Sequence, residues 1–596
     1  WLKKKEAHAC AENVHSAMVI MGSRGCSAWV DSFALLGDFL GLDIFRVSSA
    51  SRRCNSLLET DGDMLVMAFR QELSFHHIHL RDAAAQFVFK RLPAHLTDLS
   101  INLDDHGAFS ARPHEESIGE EALRLLAENV PRYLKRLSLR LGHDAETSFW
   151  ETFAQRLPDG LEELSLGVRF GAEIPNIFYK NIPTHVARLS LNLPYLEGDV
   201  SEFESLVQGI PQRIQDLSLG LEEAVPPGCL QTLASQIRFF QQLQKVSLDL
   251  KHCELKERDV QALLQSLPAG LICLILNLGE NDLSSRKVSR AFARSLTSFS
   301  RLEVLGLLFE ESTIDAGLVS LVARHLPGSL VDLNLDFSAC DASDASVVEL
   351  GKALARCSGL RSLALGLRAC CVRRGSIVVG SSLPPGLVSL HLNFYNSDIQ
   401  DQGALALASG LPSSIKALNV NFGGCVLKPM TVQTLLEGLP PGLVKLEAEF
   451  DWLGLSKVRS CPLPSKLQDF ELRANAINDD PSGRSPFIAA LATRLQCLNT
   501  LRKLRLMFEL CSLNIGQAEQ IMRSLPKHIQ KLSINFGADV ASEDSENQWR
   551  TLLHPAQMRY GDAIRVPKQG ESNAATRAGL HELFAVMSNA QEAGGA

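Results

Sequence analysis

Apolar residues recur along this chain in a fixed phrase: one apolar residue, two others, then apolar residues at every second position. Leu-Pro or Ile-Pro usually introduces it, as in LPAHLTDLSINL (Leu92 to Leu103), LPAGLICLILNL (Leu267 to Leu278) and LPKHIQKLSINF (Leu525 to Phe536). With the first apolar residue as position one, the phrase starts sixteen times: at Leu96, Leu134, Leu161, Val186, Ile214, Leu243, Leu271, Leu302, Leu330, Leu360, Leu387, Ile415, Leu443, Leu467, Leu501 and Ile529. Spacings run from 24 to 38 residues and cluster at 27 to 29. An internal repeat outranks the domain count that length alone suggests, because a stack of repeats is one structure however long it grows.

Positions four, six and eight are apolar, as in Leu274, Leu276 and Leu278, which predicts a strand with one buried face. Position eleven carries a small polar or thiol group (Cys253, Asn281, Ser312, Cys340, Cys370, Ser397, Cys425, Cys511), and position thirteen is apolar again. A helical stretch follows, such as Asp259 to Leu267 or Thr431 to Leu439, with apolar residues at i, i+3 and i+4. The proline then ends the helix, since it cannot donate a backbone hydrogen bond and restricts the residue before it.

Strand, turn with Asn or Cys, helix, Pro and strand again resembles the leucine-rich repeat, in the long helix-bearing class typified by ribonuclease inhibitor. The resemblance spans roughly residues 90 to 540 and implies an α/β solenoid, with a curved parallel sheet on the concave side and helices on the convex side. The Asn/Cys position falls two residues later than the family's usual spacing, which predicts a slightly longer strand or a widened turn. The position-eleven thiols are expected to form a ladder that satisfies backbone groups in neighbouring turns, not a metal or redox site. Position eight shifts to Phe in later repeats (Phe309, Phe337, Phe394, Phe422, Phe450, Phe508, Phe536), which predicts a stacked aromatic spine.

On such a fold, positions three, five and seven point away from the core. Position five is Ser in seven phrases and position seven is Asn in six, and both files are expected to form hydrogen-bonding ladders between strands. Their interruptions mark where a protein ligand would sit on the concave face: Asp249, Asn334, Asp336 and His391 in mid-chain, then Glu447, Glu449, Glu471, Arg473 and Arg505 on three consecutive strands.

Composition narrows the function. Of 596 residues, 45% are apolar and 21% charged, and the net charge of −8 is small for this size, which argues against a nucleic-acid or anionic-membrane binder. No apolar run approaches the roughly 18 residues of a membrane span, and WLKKKEAHACAENVH lacks the apolar stretch of a signal peptide. The 14 cysteines include no CxxC pair, and scattered unpaired thiols suit a reducing, cytoplasmic or nuclear compartment. His76, His77 and His79 alternate on a short strand-like stretch, with no cysteine or carboxylate placed to complete a metal site. No HExxH, GxSxG or phosphate-loop string occurs, so neither an enzyme nor a cofactor is expected.

Residues 1–60 stand outside the repeat. Leu36, Phe39 and Leu40 mark one apolar helical face, Gly41 breaks it, and Ile44, Phe45 and Val47 open a second. With Asp43, Ala50, Ser51, Arg52, Arg53 and Leu57, this stretch is similar to the second half of an F-box, although Cys54 stands for the usual tryptophan and the introductory Leu-Pro is absent. The resemblance implies that these helices bind a Skp1-type adaptor, making the chain a substrate receptor of a cullin-RING ubiquitin ligase. The alternative is a scaffold or inhibitor whose N-terminal helices only cap the first repeat. Residues 61–90 read as the cap that opens the solenoid, 91–540 as about sixteen repeats, and 541–596 as a polar tail with one amphipathic helix over 575–590.

Overall fold

The computed structural model describes residues 72–75, 82–90, 92–103, 119–141, 145–168, 174–193, 200–223, 225–475, 485–509, 511, 513–536 and 564–565. The F-box-like residues Leu36, Phe39, Leu40, Ile44, Phe45 and Val47, the histidines His76, His77 and His79, and the helix expected over 575–590 lie outside them.

The chain divides into two compact units, the first ending at Pro226 and including Phe239–Leu243, the second comprising Pro227–Arg238 and all from Gln244 onward. Unit 1 carries strands β1 (Glu72–Phe75), β2 (Asp98–Asn102), β3 (Arg136–Arg140), β4 (Glu163–Gly167), β5 (Arg188–Asn192) and β6 (Asp216–Gly220), with a helix after each of β1 to β5. The strands pair in parallel in sequence order and without register slips, Leu99 against Leu137, Leu137 against Leu164 and Leu164 against Leu189.

Unit 2 repeats the plan in β7 (Lys245–Asp249), β8 (Cys273–Asn277), β9 (Asp282–Leu283), β10 (Val304–Leu308), β11 (Thr313–Ile314), β12 (Asp332–Asp336), β13 (Ser362–Gly366), β14 (Ser389–Asn393), β15 (Ala417–Asn421), β16 (Lys445–Asp451), β17 (Asp469–Asn475), β18 (Lys503–Glu509), β19 (Lys531–Asn535) and β20 (Ile564–Arg565). The two-residue strands β9 and β11 pair with each other. The others form a parallel ladder in chain order. Parallel neighbours require a crossover, and a helix supplies it in most repeats. Both units are therefore leucine-rich-repeat coils, and every one of the sixteen phrases carries a strand.

Burial follows the phrase. Leu271, Leu276 and Leu278 are fully buried and Leu274 nearly so, while Cys273, Ile275 and Asn277 between them stay partly exposed. The three strand leucines of one repeat contribute on the order of 5–9 kcal/mol before the entropy of ordering the chain is subtracted. The aromatic spine forms in two runs: Phe309 on Phe337 with centroids 5.4 Å apart, then Phe394, Phe422 and Phe450 at 5.9 and 5.7 Å. Leu367 fills the slot between the runs.

The late Asn/Cys position is explained mainly by a widened turn. Most strands keep five residues, and β16 to β18 lengthen to seven. Position ten turns left-handed in repeat after repeat: His252, Glu280, Glu311, Ala339, Ala369, Asn396 and Gly424 have φ between 53° and 75°. Its backbone N–H still bonds the next repeat, as from Ala339 to Arg368 O (2.7 Å) and from Asn396 to Gly423 O (2.7 Å). The ladder thus continues through the turn. Position eleven then donates to the position-eight carbonyl of the preceding repeat: Ser312 to Leu278 (2.8 Å), Cys340 to Phe309 (2.8 Å), Cys370 to Phe337 (3.3 Å) and Cys425 to Phe394 (2.9 Å). The thiols are ladder members, as their spacing predicts.

Candidate protein-binding face

Positions three, five and seven of each strand form the face of the sheet turned away from the buried leucines. In unit 1 this face is regular at positions three and five. Position three alternates in sign (Asp98, Arg136, Glu163, Arg188, Asp216), and Arg136 pairs with Asp98 as Arg188 does with Glu163 at 2.8 Å. Position five is Ser on β2 to β6, and the serines stand in register.

The Asn file at position seven differs from expectation. Three of its six side chains cap their own turns: Asn277, Asn393 and Asn421 accept the N–H of the residue two places on at 3.2, 3.1 and 2.9 Å. Asp249 and Asp336 make the same local bond to Lys251 N (3.2 Å) and Ser338 N (2.8 Å). An Asx side chain prefers this short-range bond because it needs no second strand in register. Two of the unit 2 asparagines also reach across: Asn419 to Glu447 (2.5 Å) and Asn421 to Glu449 (3.0 Å).

The charged run on β16 to β18 is brought together in register. Glu447 lies opposite Glu471 and Glu471 opposite Arg505, with Glu449 opposite Arg473. Each carboxylate is already engaged. Glu447 meets Lys445 at 2.7 Å, Glu471 takes Arg473 at 2.8 Å and Arg505 at 3.7 Å, and Glu449 accepts from Asn421 and Asn475. Three carboxylates and three cations balance locally. Arg473 and Arg505 each keep about half of their side chains exposed.

Upstream, the mid-chain residues stand in a different setting. Asn334 and His391 sit on the same position-five row, two strands apart, with Ala364 between them. Burial among neighbouring side chains holds the His391 imidazole below its ordinary value, against the opposing pull of Glu447 and Asp336. Asp336 lies over Gly366, where any Cβ would collide with its carboxylate. Asp249 is on β7, at the other end of this stretch.

Three residues of the face carry a signal the Ser/Asn reading passed over. Ile275 on β8, with Val304 and Leu308 on β10, place partly exposed apolar side chains where other repeats carry polar ones. Gly306 between them is the position-five residue, and a Cβ there would meet the Ile275 side chain at 3.1 Å. Among the described residues no cluster of three or more His, Cys, Asp or Glu is placed to hold a metal ion, and no helix is long and apolar enough to cross a membrane.

No family model matches this chain, and no curated protein matches it. Solved structures do. A structure of the Rad7 and Elc1 complex from yeast matches at 17% identity and TM-score 0.41, over 74% of this chain and 97% of that one. A leucine-rich-repeat protein of Leptospira interrogans matches at 18% and TM-score 0.32, over 73% and 96%. The leucine-rich repeat-containing protein LegL7 of Legionella pneumophila matches at 14% and TM-score 0.24, over 70% and 96%.

Proposed function

We propose that this chain is a non-enzymatic protein-binding protein, which holds a partner protein on the open sheet face of unit 2 and acts as an F-box-type substrate receptor of a cullin-RING ubiquitin ligase. One observation carries the binding part. From β8 to β18 position five of the face departs from the Ser file into apolar, acidic and basic side chains that the fold does not require, since unit 1 builds the same ladder with Ser at that position on β2 to β6. The eleven described cysteines are all free, in keeping with a cytoplasmic setting.

The ubiquitin part rests on residues 27–60, where Leu36, Phe39, Leu40, Ile44, Phe45 and Val47 would dock a Skp1-type adaptor. Such a receptor does no chemistry of its own. It raises the effective concentration of its bound protein beside the modifying enzyme. Asp249, Asn334, Asp336, His391, Glu447, Glu449, Glu471, Arg473 and Arg505 are the face residues assigned to the partner.

Co-expression of the full chain with Skp1 tests the adaptor reading. A stoichiometric complex is expected, lost in Phe39→Asp and Ile44→Asp with thermal stability unchanged. If wild type forms no complex, and both substitutions only lower stability, the helices are a cap and the chain is a scaffold or inhibitor.

A further inference from the structure

We infer that the strip of the unit 2 face formed by β8, β10 and β12 takes a protein segment in which an aliphatic side chain stands beside a lysine or arginine. The inference deepens the proposed function and rests on the reading that this face binds protein.

Two properties meet on the strip. Ile275, Val304 and Leu308 surround Gly306, whose missing side chain leaves a shallow apolar floor one strand away from β12. Beta-strands in a sheet are about 4.8 Å apart, so β12 lies within one side chain's reach of that floor. It presents Asp332 opposite Val304 and Asp336 opposite Leu308.

These aspartates differ from Glu447 and Glu471 of the β16–β17 network. There, Lys445, Arg473 and Arg505 neutralise Glu447 and Glu471. Neither Asp332 nor Asp336 has an ion pair among the described residues, and the bond Asp336 makes is to the backbone N–H of its own turn. Arg368, on the turn that leaves β13, is drawn instead to Glu310 (3.2 Å) and Glu311 (2.6 Å). Asp332, with no ion pair among the described residues, therefore borders the apolar floor opposite Val304, while Asp336 carries its carboxylate over Gly366 on the β13 side of the strip. A carboxylate so placed is matched by a cation arriving with the apolar group, and desolvation by that group strengthens the pairing.

The structure also supplies variants that keep the fold. Asn277, Asn393 and Asn421 already make the turn bond that Asp336 makes, so Asp336→Asn retains it without the charge. Leu308→Asn and Ile275→Ser restore residues that other repeats carry at those positions.

A random peptide library displayed against the full chain is the test, run in parallel on wild type and on Asp332→Asn/Asp336→Asn. Wild type is expected to enrich peptides with Leu, Ile or Val within two residues of Lys or Arg. A representative peptide should bind the double variant, and separately Ile275→Ser/Leu308→Asn, roughly tenfold more weakly. Raising the salt concentration should weaken binding to wild type more than to the aspartate variant. No enrichment, enrichment of acidic or purely apolar peptides, or binding indifferent to all four substitutions overturns the inference. Peptides lost instead in Arg473→Gln/Arg505→Gln also overturn it, yet they leave protein binding by the face standing.

Discussion

A thiol at position eleven does a smaller job than the asparagine it replaces. Asn281 donates to Leu250, Leu278 and Gly279 carbonyls and accepts from Leu255 N, whereas Cys340 donates to Phe309 O and, more loosely, to Ser338 O. Burial then disfavours ionisation. It pushes the Cys340 thiol up to about 12 and the Cys370 thiol up to about 11, against an ordinary value of 9.0. Because the folded values are raised, the contribution is complete below pH 9 and is lost progressively from there until pH passes the folded values of about 11 and about 12. In that window the unfolded chain releases protons that the folded chain retains. Ser312 and Ser397 show that serine fills the same slot, so Cys340→Ser/Cys370→Ser should keep the ladder and remove this alkaline penalty. At pH 10 the penalty is about 1 kcal/mol per thiol. The check is the drop in urea midpoint between pH 8 and pH 10, expected to be smaller in the double variant. An identical drop would mean that these thiols do not titrate on unfolding.

Elements show where sequence reasoning stops short. The strands were legible because a period of two, repeated sixteen times, leaves no competing reading of Leu274, Leu276 and Leu278. The left-handed position ten was not, since glycine marks it at Gly424 while His252, Glu280, Glu311, Ala339, Ala369 and Asn396 occupy it elsewhere. Tertiary bonds hold those residues there, and each costs roughly 1–2 kcal/mol relative to right-handed backbone. The helices hide a second constraint. Those at Asp344–Leu354, Arg373–Ser381 and Gln400–Gly410 approach through Gly351, Gly380 and Gly410, and a Cβ on Gly410 would run into the Gly380 carbonyl oxygen. Helix propensity alone says that Gly410→Ala stabilises by up to about 1 kcal/mol. The backbone contact leaves no room for the methyl group, and overpacking of this kind costs about 1–3 kcal/mol. Gly410→Ala is therefore expected to lower the melting temperature. An increase would show that the helices can separate at little cost.

At the scale of the whole molecule, the apolar period specified the fold but not the face that would bind. Core positions are chosen by burial, which leaves a regular trace in one sequence. Outward positions are free of that pressure, so Asp336 and Glu471 look alike on the page although one has no ion pair among the described residues and the other lies between two arginines. Only the third dimension separates them. The strand β20 left no trace at all, because two residues are too few to show a period. Yet it lies along β19, with Ile534 beside Ile564 and Asn535 beside Arg565. A parallel ladder that has just added its last member is a growing end, and its unused N–H and C=O groups invite the same strand from another copy. By occupying part of that end, β20 is expected to limit such pairing. A chain cut after residue 540 should associate in a concentration-dependent way in sedimentation experiments where the full chain does not. If the cut chain stays monomeric, the end of the ladder is protected by something other than β20.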